Sequence, residues 1–174
     1  EPVSIEQTAG KIPAYSSAAG VAVAIALNND LAKIAPEFSK YVMPKSRMNF
    51  IKCEGDILLV DDSYNSSPLA ARAVIETIKE LSAKRKVAIL GDMLELGKFS
   101  EQAHKEIGEL AGEVFDVIVA IGNESKAMNA NYWFPDAESA REPIKKMLQP
   151  GDLVLVKASH SIGLSLIASE LKLR

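Results

Sequence analysis

Four unbroken apolar runs constrain what this chain can become: ILLV at 57–60, VAIL at 87–90, VIVAI at 117–121 and LVLV at 153–156. A strand with one wet face alternates apolar and polar residues, whereas a continuous run suits a strand covered on both faces, as in a parallel sheet. Between the runs, apolar residues recur at helical spacing. Ala71, Val74, Ile75, Ile78 and Leu81 form one such face, and Ala103, Ile107, Leu110 and Ala111 another. Strands alternating with helices through short loops predict a Rossmann-like, doubly wound α/β domain over residues 46–174, its sheet mostly parallel and its helices on both faces. Ser67 with Pro68, Ser100 and Asp136 are predicted helix starts. A further helix is expected from Glu124 and Ser125, and a last one over SIGLSLIASELK. YWF at 132–134 is a candidate short strand.

Residues 1–45 have another character. YSSAAGVAVAIALNN reads as a small-residue buried helix, with Ser16 or Ser17 as its cap and Asn28 and Asn29 as its stop. NDLAKIAPEFSKY follows with Asn29 or Asp30 as cap and Leu31, Ile34 and Phe38 on one face. Two short helices cannot bury both faces alone, so this segment is expected to belong to a larger domain. The leading EPVSIEQTAG is polar and carries no signal-peptide core. The most apolar stretch, 18–27, is ten residues long, and a bilayer needs about twenty; no membrane insertion is expected.

A formal net charge of −3 argues against a nucleic-acid groove or an anionic membrane surface. Small anions are not excluded, because a few guanidinium and backbone N–H groups can hold a phosphate. Cys53 is the only cysteine, which rules out an intramolecular disulfide and fits a reducing, cytoplasmic setting. His104 and His160 lack partners at metal-ligand spacing. The chain has no G-x-x-x-x-G-K-[ST], no G-x-G-x-x-G after a strand and no G-x-S-x-G. No complete catalytic apparatus is visible, and no residue is assigned as catalytic or as a metal ligand.

Polar residues gather instead at the carboxyl ends of the predicted strands, where open parallel sheets bind ligands. These are DDSYNSSP (61–68), GDMLELG (91–97), GNES (122–125) and KASHS (157–161). A strand-end aspartate suits a sugar, since its carboxylate accepts from two vicinal hydroxyls. Arg47, at the junction between the two regions, is either a solvated linker charge or a guanidinium presented to a phosphate, a task its planar fork suits. Of Asp61 and Asp62, one is expected to face a site while the other is satisfied locally or hydrated.

The series SRMNF, LLVDDSYNSSP, VAILGDMLELGKFSEQAHKEIGE and GDLVLVKAS, in this order, resembles the C-terminal domain of the Mur ligases. Within that family the likeness is to the member that adds D-alanyl-D-alanine to UDP-MurNAc-tripeptide. LGDMLELG is intact at 90–97, and DDSYNSSP stands where the family has D-D-S-Y-N-A-N-P. GKIPAYSSAAGVAVAIAL resembles the last helix of the family's central ATPase domain. The resemblance implies an ATP- and Mg2+-dependent amide-bond-forming ligase of peptidoglycan precursor synthesis, cytoplasmic and monomeric, acting through an acyl phosphate. This chain would be its C-terminal domain plus the helical tail of the central one, inactive alone, with the metal ligands elsewhere.

The same resemblance implies that Asp62 holds the ATP ribose, that Arg47 reaches the phosphates, and that Tyr64 and Asn65 line the cleft. Ser16 occupies the place of a family asparagine that contacts adenine. Asp92 and Glu95 either shape the dipeptide site or form a capped turn. Lys157 and Ser159 fall where the family has Lys-Gly-Ser and either meet dipeptide or phosphate or are solvated. His104 is expected to be a locally satisfied structural histidine. A stand-alone α/β module binding a nucleotide or a partner without catalysis is the alternative.

Overall fold

The computed structural model describes residues 9–172; the polar leader EPVSIEQT, with its predicted lack of a signal core, lies outside them. In chain order the elements are α1 (Lys11–Ala26), α2 (Leu31–Phe38), β1 (Asn49–Lys52), β2 (Leu58–Asp62), α3 (Pro68–Lys79), β3 (Arg85–Gly91), α4 (Ser100–Gly112), β4 (Val117–Ile121), β5 (Tyr132–Phe134), α5 (Ala137–Met147), β6 (Asp152–Lys157) and α6 (Ser165–Lys172). The strands form one sheet in the order β1-β2-β6-β3-β4-β5. All neighbours are parallel except β1, which runs antiparallel to β2. No helix of the described residues is long and apolar enough to cross a membrane.

Alternation of side chains along each strand sends successive residues to opposite faces. On one face Val60, Ala88, Leu90 and Leu155 pack with Val74, Ile75 and Ile78 of α3 and Ile107 and Ala111 of α4. On the other, Leu59, Val87, Ile89 and Val156 pack with Ala140 and Ile144 of α5 and Ile167 and Leu171 of α6. The expected fold class is the observed one. At the amino-terminal edge of the sheet, Arg85 donates from Nε and Nη2 to the two carboxylate oxygens of buried Asp152. That pair fixes β3 against β6 at the end away from the polar loops.

Ser67 caps α3 as expected, its Oγ accepting from Ala70 N with Pro68 in the first turn, and Asp136 caps α5 through Ser139 N. Four boundaries differ. Helix α1 starts at Lys11, so Ser16 and Ser17 lie inside it; Pro13 is tolerated in a first turn, and Ser17 Oγ donates to the Pro13 carbonyl. Ser100 is the first residue of α4 rather than its cap, because a 3-10 turn, Gly97–Phe99, leads into the helix. Glu124–Met128 is only a 3-10 turn, ended by Asn129 in the left-handed region (φ 51°). A 3-10 turn, His160–Ile162, and left-handed Gly163 delay α6 to Ser165. Strand β1 is an addition to the sequence reading. It forms a hairpin with β2 about Gly55, whose φ of 71° demands a residue free of Cβ strain.

Helices α1 and α2 pack on each other, and Gly10 at the start of α1 lies against Thr77 of α3. Helix α1 is not the buried helix expected from the sequence: Tyr15, Val23, Ile25 and Leu27 are largely exposed, because α2 and α3 cover only part of its surface.

Helix α4 comes unusually close to the 124–128 turn at Gly108, where a Cβ would run into the Met128 backbone; at Gly112 the space is open. Gly108→Ala is therefore expected to cost about 1–3 kcal/mol through overpacking against backbone. Gly112→Ala should be neutral or gain up to about 1 kcal/mol from reduced backbone entropy loss. Urea unfolding midpoints of the two variants check this.

Candidate functional site

The carboxyl ends of β2, β6 and β3 lie side by side, so the loops after them meet at one edge of the sheet. Asp61 and Asp62 end β2 and point to opposite faces. Asp61 faces α6 and is fully buried: Oδ1 accepts from Ser63 N and Ser63 Oγ, and Oδ2 accepts from Ser46 Oγ at 3.0 Å and from Lys172 Nζ at 2.7 Å. Asp62 faces the α3 side. Its Oδ1 accepts from Met48 N at 3.1 Å and its Oδ2 from Lys157 Nζ at 2.6 Å. Lys157 sits in register with Asp62 at the end of β6, is buried, and also donates to the Asn65 carbonyl. The lysine is thus no solvated surface group. It fixes both the carboxylate and the loop that follows it.

Burial works to raise the carboxyl pKa of Asp61, but the hydrogen bond from Lys172, the Ser63 bonds and the Lys172 charge outweigh it and hold it below the usual carboxylate value. A second titrating group, Cys53, is half-buried, and burial pushes its thiol up, away from a thiolate nucleophile.

The segment joining α2 to β1 completes one wall. Ser46 and Met48, both non-glycine, have φ of 58° and 49°, a backbone cost of roughly 1–2 kcal/mol each. Between them Arg47 lays its guanidinium over the Tyr64 ring, Cζ 4.2 Å from the centroid. The Tyr64 ring stands 5.5 Å from that of His160. A cleft of about 610 Å³ opens between this wall, α1 and α3, within the size range of small-molecule sites. Arg47, Asp62, Tyr64, Asn65, Ser16 and Lys157 all line it.

Asp92, Glu95 and Ser159 do not. Both Asp92 carboxylate oxygens accept backbone N–H groups, from Asn123 and Ser125, at the turn after β4. Ser159 N donates to the Asp92 carbonyl, and Ser159 Oγ accepts from Leu94 N. Glu95 is exposed with φ 66°. His104 is fully buried; Nε2 accepts from Met93 N, and Nδ1 then faces the Ser100 carbonyl as a donor. The histidine is locally satisfied, as expected, and it anchors the 92–97 loop. Ser46 and Met48 were not singled out in the sequence; nothing in their side chains signals a backbone N–H or hydroxyl aimed at the carboxylate pair.

Residues 46–160 match the family model described as Mur ligase, glutamate ligase domain. The chain belongs to the Mur ligase family. A curated relative from Synechocystis, a UDP-N-acetylmuramoyl-tripeptide--D-alanyl-D-alanine ligase, is 31% identical over 138 residues, covering 74% of this chain and 30% of its own length. The chain thus spans about a third of such Mur ligases. The solved MurF of Acinetobacter baumannii superposes with a TM-score of 0.82 at 28% identity, over 95% of this chain and 38% of that one. MurF ligase from Thermotoga maritima in complex with ADP gives 0.76 at 25% identity, over 87% and 36%.

Loss of one partner of a buried ionic cluster costs on the order of 3–5 kcal/mol, and Asp61→Ala is expected to fall in that range at pH 7. Because the folded-state pKa of Asp61 is lowered, its stabilisation is complete above the ordinary aspartate value of about 4. It is lost as pH falls through the lowered folded value. The stability gap between the natural chain and Asp61→Asn should therefore stay constant from pH 7 down to that ordinary value and close below it, as urea titrations at stepped pH would show.

Proposed function

We propose that this chain carries the C-terminal part of an ATP-dependent, amide-bond-forming ligase that joins D-alanyl-D-alanine to UDP-MurNAc-tripeptide in peptidoglycan precursor synthesis. In this reading residues 46–174 are its C-terminal domain, and residues 1–45 are the helical end of its central ATPase domain. The observation that carries the reading is the single cleft lined by Arg47, Asp62, Tyr64, Asn65, Ser16 and Lys157. These groups come from four separated stretches of sequence and have the chemistry a nucleotide requires. The single cysteine fits a reducing cytoplasm, and we take the protein to act there as a monomer.

The donor and acceptor set fits ATP. Each Asp62 oxygen already accepts one hydrogen bond, and a carboxylate oxygen has room for a second, so the two ribose hydroxyls have acceptors. Lys157 holds that carboxylate oriented. Arg47 is exposed, and among the described residues its guanidinium is tethered only by stacking on Tyr64, worth about 0.5–1 kcal/mol at such a site. A phosphate offers the guanidinium stronger, charge-assisted hydrogen bonds. Asn65 and Ser16 present polar groups to the base and sugar. When bound, ATP would supply the phosphoryl group that activates the tripeptide carboxylate for attack by the dipeptide amine.

In this reading the magnesium ligands belong to the central domain, and what this region supplies to the Mg-nucleotide is the ribose and phosphate contacts of Asp62 and Arg47. Asp92, Ser159 and His104 act by bracing the 92–97 loop, and exposed Glu95 is the member of that loop able to meet the dipeptide ammonium.

Titrating the chain with Mg-ATP while following amide NMR shifts tests this. Shifts are expected at 62–66, at Arg47 and in the first turns of α1. Removing a hydrogen bond to a charged group costs about 1.5–3 kcal/mol, so Arg47→Ala should weaken binding about 10- to 100-fold. Binding confined to other surfaces, or unaffected by Arg47→Ala, would contradict the reading. Tight, self-sufficient binding would instead favour a stand-alone nucleotide module.

A further inference from the structure

We propose that Asp61 is a positioning residue: through Ser46 it holds the turn that presents Arg47 to the cleft, so that the two adjacent aspartates grip this turn from opposite faces of β2. The inference rests on the nucleotide reading for its functional consequence, but not for its geometry. Three bonds hold the turn against the end of β2. Ser46 Oγ donates to Asp61 Oδ2 at 3.0 Å, Met48 N donates to Asp62 Oδ1 at 3.1 Å, and Tyr64 N donates to the Ser46 carbonyl at 3.1 Å. Arg47 lies between the first two anchors.

The need for such a grip comes from the backbone. Ser46 and Met48 both occupy the left-handed region, which a non-glycine residue keeps only where its surroundings over-determine it. Without its anchors the turn would relax to ordinary dihedrals, and Arg47 would leave the Tyr64 ring. Neither anchor is itself mobile. Asp61 is buried and takes Ser63 N, Ser63 Oγ and Lys172 Nζ as well as Ser46, and Asp62 is pinned by Lys157. The same cluster ties α6, through Lys172, to the junction between the helical segment and the sheet.

A fixed turn matters for a phosphate site. A guanidinium delivered from a rigid Cα loses less freedom on binding than one at the end of a slack loop, and that difference appears as affinity. Asp61 would therefore influence the nucleotide without touching it, on the face of the strand turned away from the cleft. This role explains why two repelling carboxylates stand together: each serves its own side of the sheet, and the turn needs both.

The test uses the 174-residue chain and two variants, Ser46→Ala and Asp61→Asn. Stacking over Tyr64 shifts the Arg47 side-chain protons upfield and gives cross-relaxation to the ring, both visible by NMR without any ligand. Ser46→Ala removes one half-exposed hydroxyl, so the fold should persist, and most of the upfield displacement should vanish; Asp61→Asn should release Arg47 in the same way. Merely structural roles would lower the melting temperature while leaving Arg47 stacked. An unchanged Arg47 signal in folded Ser46→Ala overturns the proposal.

Affinity supplies the second readout. Ser46→Ala should weaken Mg-ATP binding about three- to tenfold, less than the loss of a charged hydrogen bond itself. In the Arg47→Ala background it should add nothing, because the two act through one group. Additive losses would mean that Ser46 does not work through Arg47, and would overturn the proposal. If Mg-ATP fails to bind while Ser46→Ala still frees Arg47, the clamp stands and the nucleotide reading falls. If Arg47→Ala weakens ATP but Ser46→Ala changes neither readout, the reverse holds.

Discussion

A lysine ammonium cannot end a parallel strand covered on both faces without an anion beside it, since an unpaired buried charge costs several kcal/mol. Lys157 is in that position, and Asp62, its register partner on β2, is the anion. Much of the site follows from this pair. It requires β2 beside β6, it fixes the Asp62 carboxylate, and through the Asn65 carbonyl it sets the path of the 62–65 loop. With that loop set, Tyr64 stands where Arg47 can cover it and where the cleft acquires its floor.

The neighbouring carboxylate solves a different problem on the other face. Asp61 is surrounded by Ser46, Ser63 and Lys172 and ties the carboxyl-terminal helix to the domain junction. Period-two alternation along a strand lets two like charges sit in sequence with their side chains separated by the sheet, each neutralised by its own lysine. The remaining strand-end loop is built on the same economy of backbone groups. Asp92 satisfies the turn after β4, and buried His104 satisfies Met93. A loop so braced presents its exposed tip, with the side chains of Leu94 and Glu95, to a ligand.

The sheet and most of its helices were legible because they rest on period and run length: apolar runs for four strands, and the faces of α3 and α4 for two helices. Caps were legible where a side chain makes the cap, as at Ser67 and Asp136. They failed where backbone turns do the work, at Ser100 and before α6, since a 3-10 turn leaves no periodic trace. Strand β1 escaped notice because an antiparallel edge strand of four residues carries too little pattern. At the site, the strand-end rule and the family resemblance together pointed to Arg47, Asp62, Tyr64 and Asn65, which share one cleft. The same rule grouped Asp92 and Ser159 with them. Only geometry shows those two facing backbone instead, and only geometry gives Lys157 its partner.

The most direct test is a crystal structure of the chain with Mg-ADP bound. The ribose hydroxyls should lie within hydrogen-bond distance of Asp62, with Lys157 still paired to it and Arg47 moved from Tyr64 onto a phosphate. A nucleotide seated elsewhere, or one in this cleft that leaves Asp62 and Arg47 untouched, would contradict the proposal that this edge of the sheet is half of a ligase's ATP site.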